Sequence, residues 1–258
     1  MSDGAYHDVA TARAARGVRM VLVVGVPSPW SIAAKGLFHV KGIQAMAVRF
    51  SPRDAELAAW TGAHNAPVVV YDDEPPRTGW AEIIALAERI GGAVSLVPRE
   101  SATRVQLFGL VNELAGEDGL GWSCRLMMVD ASLATSGERG FPLKLAQYLA
   151  AKYGHTVARA AAARGRIIEI LTLMDGLLAN HAGRASPYLV GDTLTAADVY
   201  AAAFVTVLTG ISQAECPNVR PELLPAYAWL HATVGREVPP AVEAHRAMMF
   251  ARHLPWPL

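Results

Sequence analysis

The 258-residue sequence predicts two unlike parts, a small α/β unit over residues 19–90 and an all-α helical bundle over residues 101–258. Three observations predict this. Short apolar runs alternate with helical stretches as far as residue 90. Strand-like runs stop after about residue 100. Between the two lies Gly91 to Glu100 (GGAVSLVPRE), Gly-rich at one end and holding Pro98 at the other, which suits a linker.

Residues 1–18 are rich in Ala and Arg and read as a loosely ordered N-terminal extension. Residues 19–26 (RMVLVVGV) form a continuous apolar run, the pattern of a strand buried on both faces. Pro27 and Pro29 break it, and Trp30 to Lys41 follows as a helix stopped by Gly42. Ala45 to Phe50 is a second strand. Pro52 to Trp60 is helix-like, with Pro52 suited to a first turn. Pro67 to Tyr71 (PVVVY) is a third strand, with its Pro tolerated at the first position. A short strand is expected around Arg77, then a helix from Trp80 to Ile90. In the second part Ser101 is expected to cap a helix reaching Ala115. Further helices are expected over residues 122–133, 143–153, 156–180, 196–209, 222–234 and 239–252, with frequent Ala and Gly permitting close packing.

Composition narrows the function classes. Basic and acidic residues balance at 23 each, so no net charge argues for nucleic acid. The 2 cysteines, Cys124 and Cys216, are too few for a disulfide framework or a zinc site, and suggest a reduced, cytoplasmic setting. The apolar run near the start is too short to span a membrane. No H-E-x-x-H pattern, phosphate loop or nucleophile elbow is present. We therefore expect no metal, no nucleic acid and no membrane partner.

Three segments carry chemistry or folding signals. Ser28-Pro29-Trp30-Ser31 lies between the first strand and first helix, where unpaired N–H groups and the helix dipole favour an anion such as a thiolate. The plain alternative is that Ser28 only caps the helix. Lacking cysteine, this segment cannot exchange disulfides. Ala66-Pro67 opens a strand through an X-Pro bond, of which about 5–6% are cis in folded proteins. Gly191 to Val199 (GDTLTAADV) has Thr195 as N-cap, Asp198 three residues later, and Leu194 and Val199 at the staple positions. It is folding machinery rather than catalysis.

Together SPWSIAAKGLFHVKGI, NAPVVVYDD, LVPRESATR and GDTLTAADV resemble the cytosolic glutathione S-transferase superfamily over roughly residues 19–210. The resemblance implies a thioredoxin-like first domain, an all-helical second domain and a homodimer. It implies glutathione as co-substrate, with Ser28 stabilising its thiolate against a small apolar electrophile. The reaction would be conjugation, thiolytic cleavage, dehalogenation or isomerisation. Pro67 would be cis, with the Ala66 backbone holding the cysteinyl part. Trp30, Ser31, Trp122 and Arg125 would line the substrate pocket.

One departure stands out. Where the family places an acidic residue followed by Ser for the γ-glutamyl group, this chain has Gly79-Trp80. Thr78, or Glu82, would have to substitute, with Arg53, His64 and Arg77 as anion partners nearby. Losing several charge-assisted bonds, about 1.5–3 kcal/mol each, would weaken glutathione binding. Two alternatives follow: a binding protein on the same fold, with Trp80 filling the γ-glutamyl position, or an isomerase or lyase that works without glutathione.

Overall fold

The computed structural model describes residues 6–92, 94–182 and 186–254. Its order is α1 (Val9–Ala14), β1 (Val18–Leu22), α2 (Pro29–Val40), β2 (Ala45–Arg49), α3 (Ala55–Thr61), β3 (Val68–Tyr71) and α4 (Trp80–Ile90). Then come α5 (Ser101–Ala115), α6 (Leu120–Ala134), α7 (Leu143–Lys152), α8 (Val157–Ala182), α9 (Ala196–Thr206), α10 (Leu224–Thr233) and α11 (Pro240–Arg252). A thioredoxin-like front half is thus followed by a helical back half.

β1 is the middle strand, parallel to β2 (Met20 opposite Ala47) and antiparallel to β3 (Met20 opposite Val69). Its five residues are all buried. Val18, Met20 and Leu22 enter a large core shared with the helical half, whereas Val21 joins Ala12, Val48, Leu57 and Val68 on the other face. Cover on both faces is why the run is continuously apolar.

Several expectations need correction. Residues 6–17 are not a loose extension, although 1–5 lie outside the described residues. Asp8 caps α1 by accepting from Thr11 N–H at 2.7 Å, His7 N–H bonds Ala47 O, and Ala12 is fully buried. Arg16 pairs with Asp72 and Asp73, tying the segment to the turn after β3. β1 stops at Leu22 rather than Val26, because the chain turns through Gly25 at φ +77°. A Cβ there would stand 2.9 Å from Arg220, whose N–H bonds Gly25 O. Pro52 sits in a turn and Asp54 caps α3, accepting from Leu57 N–H at 2.9 Å. The strand at Arg77 is a single bridge to Val69, since Pro75-Pro76 precede it and α4 begins three residues later. Glu100, not Ser101, caps α5. Bonds from Thr103 Oγ1 and the Thr103 and Ala102 N–H groups pull its carboxyl down to about 2.

The stretch between the halves is pinned. Buried Lys41 reaches Glu88 at 3.0 Å and Val94 O at 2.6 Å. Glu88 also accepts from Ser95 Oγ and Leu96 N–H, and Leu96 O accepts from Ala196 N–H. α6, α2 and α9 pack closely at Gly121, where a Cβ would stand 2.5 Å from Phe204 and 2.8 Å from Trp30. Farther along α2, a Cβ on Gly36 would meet Leu254 at 2.8 Å. The expected capping segment forms around α9. Asp198, fully buried, accepts from Thr195 N–H and Oγ1–H, Leu189 N–H and His245.

Candidate functional site

The loop from β1 enters α2 at Ser28, whose backbone is extended (φ −102°). Ser28 O accepts from Ile32 N–H at 2.9 Å, as an N-cap carbonyl does. Its side chain, however, makes no capping hydrogen bond. Pro29 at the first helical position removes one donor, leaving the Trp30 and Ser31 N–H groups to face outward from the first turn. Ser28 is 7% exposed.

The residue before Ser28 is held from the other half of the molecule. Pro27 O accepts from Arg125 at 3.1 Å and from Tyr227 Oη at 3.0 Å, and Arg125 also donates to Tyr227 Oη at 2.9 Å. The Arg125 guanidinium is buried and lies 5.4 Å from the Phe141 ring centre. No carboxylate pairs with it among the described residues. Burial pushes the Tyr227 phenol up, so it remains neutral and donates.

Ala66–Pro67 is a cis peptide bond at the entry to β3. Just before it, Gly62, Ala63, His64 and Asn65 line a cleft of about 480 Å³, together with Thr78 and with Tyr148 and Lys152 of α7. The cleft is therefore walled by both halves.

Of the residues singled out in the sequence, His64 and Thr78 meet in this cleft. The others do not line it. Trp30 donates from Nε1 to Ala115 O at 2.9 Å and stands edge-on to Phe204. Ser31 Oγ accepts from Val23 N–H at 3.3 Å, bracing the loop behind Ser28. Trp122 donates to Tyr153 O at 3.0 Å. Trp30 and Arg125 tie the two halves together, whereas Ser31 and Trp122 bond within their own halves. Trp80 lies against Phe108, with ring centres 6.2 Å apart. Glu82 caps Gly79 N–H at 3.1 Å, and Arg53 is exposed in the turn before α3. Tyr148 and Lys152 were missed. Their i, i+4 spacing puts them on one side of α7, but nothing local shows what that side faces.

Cys124 is buried, and burial pushes its thiol up to about 12, which leaves it unreactive. Among the described residues no group of three or more His, Cys, Asp or Glu could hold a metal ion. No described helix is long and apolar enough to cross a membrane.

A mixed sheet with a cis-proline strand, a serine at the start of its first long helix and a helical half closing the cleft define a thioredoxin-like domain joined to an all-helical one. The architecture is the glutathione-transferase fold, as comparison with solved structures shows. A glutathione S-transferase from Xanthobacter autotrophicus Py2 matches over 93% of this chain and 97% of its own, at 18% identity and TM-score 0.58. A glutathione S-transferase domain-containing protein from Marinobacter aquaeolei VT8 covers 91% and 98%, at 15% identity and TM-score 0.62. A glutathione transferase family member from Pseudomonas fluorescens Pf-5, solved with two glutathione bound, covers 96% and 98%, at 14% identity and TM-score 0.58. No family model and no curated protein matches the sequence.

Proposed function

We propose that this protein is a glutathione-using enzyme of the transferase type, in which Ser28 stabilises the glutathione thiolate for attack on a small electrophile. The observation that carries this reading is the unspent hydroxyl of Ser28 at the head of α2. A serine that caps its helix has used its oxygen. This one keeps its O–H for a sulfur, beside first-turn N–H groups that favour negative charge. Arg125 and Tyr227 hold the preceding carbonyl, so the hydroxyl is presented from a braced loop. Glutathione would lie along the 62–67 segment, with His64 and Thr78 toward its charged end. Solved neighbours on this fold with glutathione bound support the same choice.

The competing reading was a binding protein whose Trp80 fills the γ-glutamyl position. Trp80 packs on Phe108 instead, and Thr78 borders open space. That favours an enzyme. We also propose that the two domains divide within residues 91–100 and that the protein forms a homodimer, which sedimentation tests.

The test is calorimetric titration with glutathione, combined with the pH dependence of thiolate absorbance in the complex. Ser28→Ala is expected to raise the bound thiol's pKa by about two units, roughly 2.7 kcal/mol, with a matching loss of turnover. No binding at millimolar glutathione would sink the proposal.

A further inference from the structure

Several cations of this protein pair with carboxylates, among them Arg16, Lys41, Arg77, Arg89, Arg159, Arg164, Arg166 and Arg246. Lys152 is one of those that do not. It lines the cleft, and among the described residues it makes neither an ion pair nor a hydrogen bond. The cleft lining holds a second nitrogen base, His64, and no Asp or Glu. The charge that acts on Lys152 is the equally acid-free Arg125. Burial and that neighbouring guanidinium hold the Lys152 amine below its ordinary value. A cavity with an ammonium and no acid in its wall attracts anions.

The same wall carries an apolar feature. Tyr148, one helical turn before Lys152, is 49% exposed although aromatic. An exposed ring beside an unpaired ammonium matches a molecule with an apolar body and an acid at one end.

We propose that Lys152 holds a carboxylate of the second substrate, whose apolar body lies against Tyr148. The electrophile is thus an amphipathic carboxylic acid rather than a neutral hydrocarbon-like molecule. This rests on the glutathione-using reading, and it sharpens the substrate class of the same cleft. The glycyl end of glutathione also offers a carboxylate, but it has no apolar body for Tyr148 to cover, so the assignment goes to the second substrate.

The test uses calorimetry on the full chain with phenylacetate and its neutral amide as probes, each with and without saturating glutathione. Phenylacetate is expected to bind at least tenfold more tightly than phenylacetamide, and to weaken as salt is raised. Lys152→Met should remove that preference, and Lys152→Arg should keep most of it. Tyr148→Ala should weaken both probes alike. Circular dichroism checks that these surface variants stay folded. Equal binding of acid and amide by the parent protein overturns the proposal, as does an undiminished preference in Lys152→Met. A Lys152 effect confined to glutathione, measured against glutathione bearing a C-terminal amide, also overturns it. If glutathione never binds while the Lys152-dependent preference remains, the thiol chemistry fails and the acid site stands. If glutathione binds and the preference is absent, the reverse holds.

Discussion

Arg125 is a buried guanidinium that donates to the Tyr227 phenol and to a backbone carbonyl, both neutral. Removing the phenol oxygen leaves an Arg125 N–H without its acceptor and takes one donor from Pro27 O. Tyr227→Phe is therefore expected to cost about 1–3 kcal/mol, read from denaturant unfolding. Catalysis should suffer too, through the loop that presents Ser28. An unchanged midpoint would mean that the hydrogen bonds among Arg125, Tyr227 and Pro27 do not hold the fold. Cys124 gives a second residue-scale prediction. With its thiol pushed up to about 12 by burial, it should resist a disulfide reagent at pH 8 until the protein unfolds. Arg125 was legible as a residue of interest but not in its role. Its partner Tyr227 lies 102 positions away, and a local motif cannot report such a pairing.

At the scale of single elements, the helix starts divide into those the sequence announces and those it disguises. GDTLTAADV displays its cap, box and staple within nine residues, and the structure builds them around Asp198. That carboxylate is fully buried and accepts from four donors. Asp198→Ala is expected to cost about 3–5 kcal/mol, seen as a lowered thermal midpoint. Ser101 was a reasonable cap by residue type. Glu100 takes the position because its longer side chain reaches back to two N–H groups and the Thr103 hydroxyl. The stretch at 91–100 reads as a linker because of its Gly and Pro, and long-range bonds from Lys41 and Glu88 fasten it. Burial pushes the Glu88 carboxyl up, but bonds from Ser95 Oγ, Leu96 N–H and Lys41 outweigh this and leave it below its ordinary 4.5. The folded value is depressed, so its stabilisation is complete above that ordinary value and is lost as pH falls below it. Glu88→Gln should lower stability at pH 7 by about 1–3 kcal/mol, with the gap closing in acid. A gap that persisted at pH 3 would show that the carboxylate's charge is not what holds the stretch.

At the scale of the whole molecule, the fold was legible because each half states its periodicity: continuous valine-rich strands in front and helical stripes behind. The cleft was legible only in its front wall. His64 and Thr78 sit in segments whose order marks the site, whereas Tyr148 and Lys152 come from an ordinary amphipathic helix. How closely the halves meet depends on small residues. Gly121→Ala would drive a methyl group into Phe204 and Trp30, so it is expected to cost about 1–3 kcal/mol by overpacking. Because Trp30 is two residues from Ser28, turnover should fall as well. An active and fully stable Gly121→Ala protein would show that the interface has slack.

The packing of Leu254 onto Gly36 sets an order of events during synthesis. α2 leaves the ribosome before α9 and Leu254 do. The α9 wall that covers it, and the leucine that closes its far side, emerge only after the helical half has been made. Until then the apolar flank of α2 has no native cover and is available to chaperones and proteases. Ribosome-bound chains halted before α9 should expose α2 to cleavage, and chains extended past residue 254 should protect it.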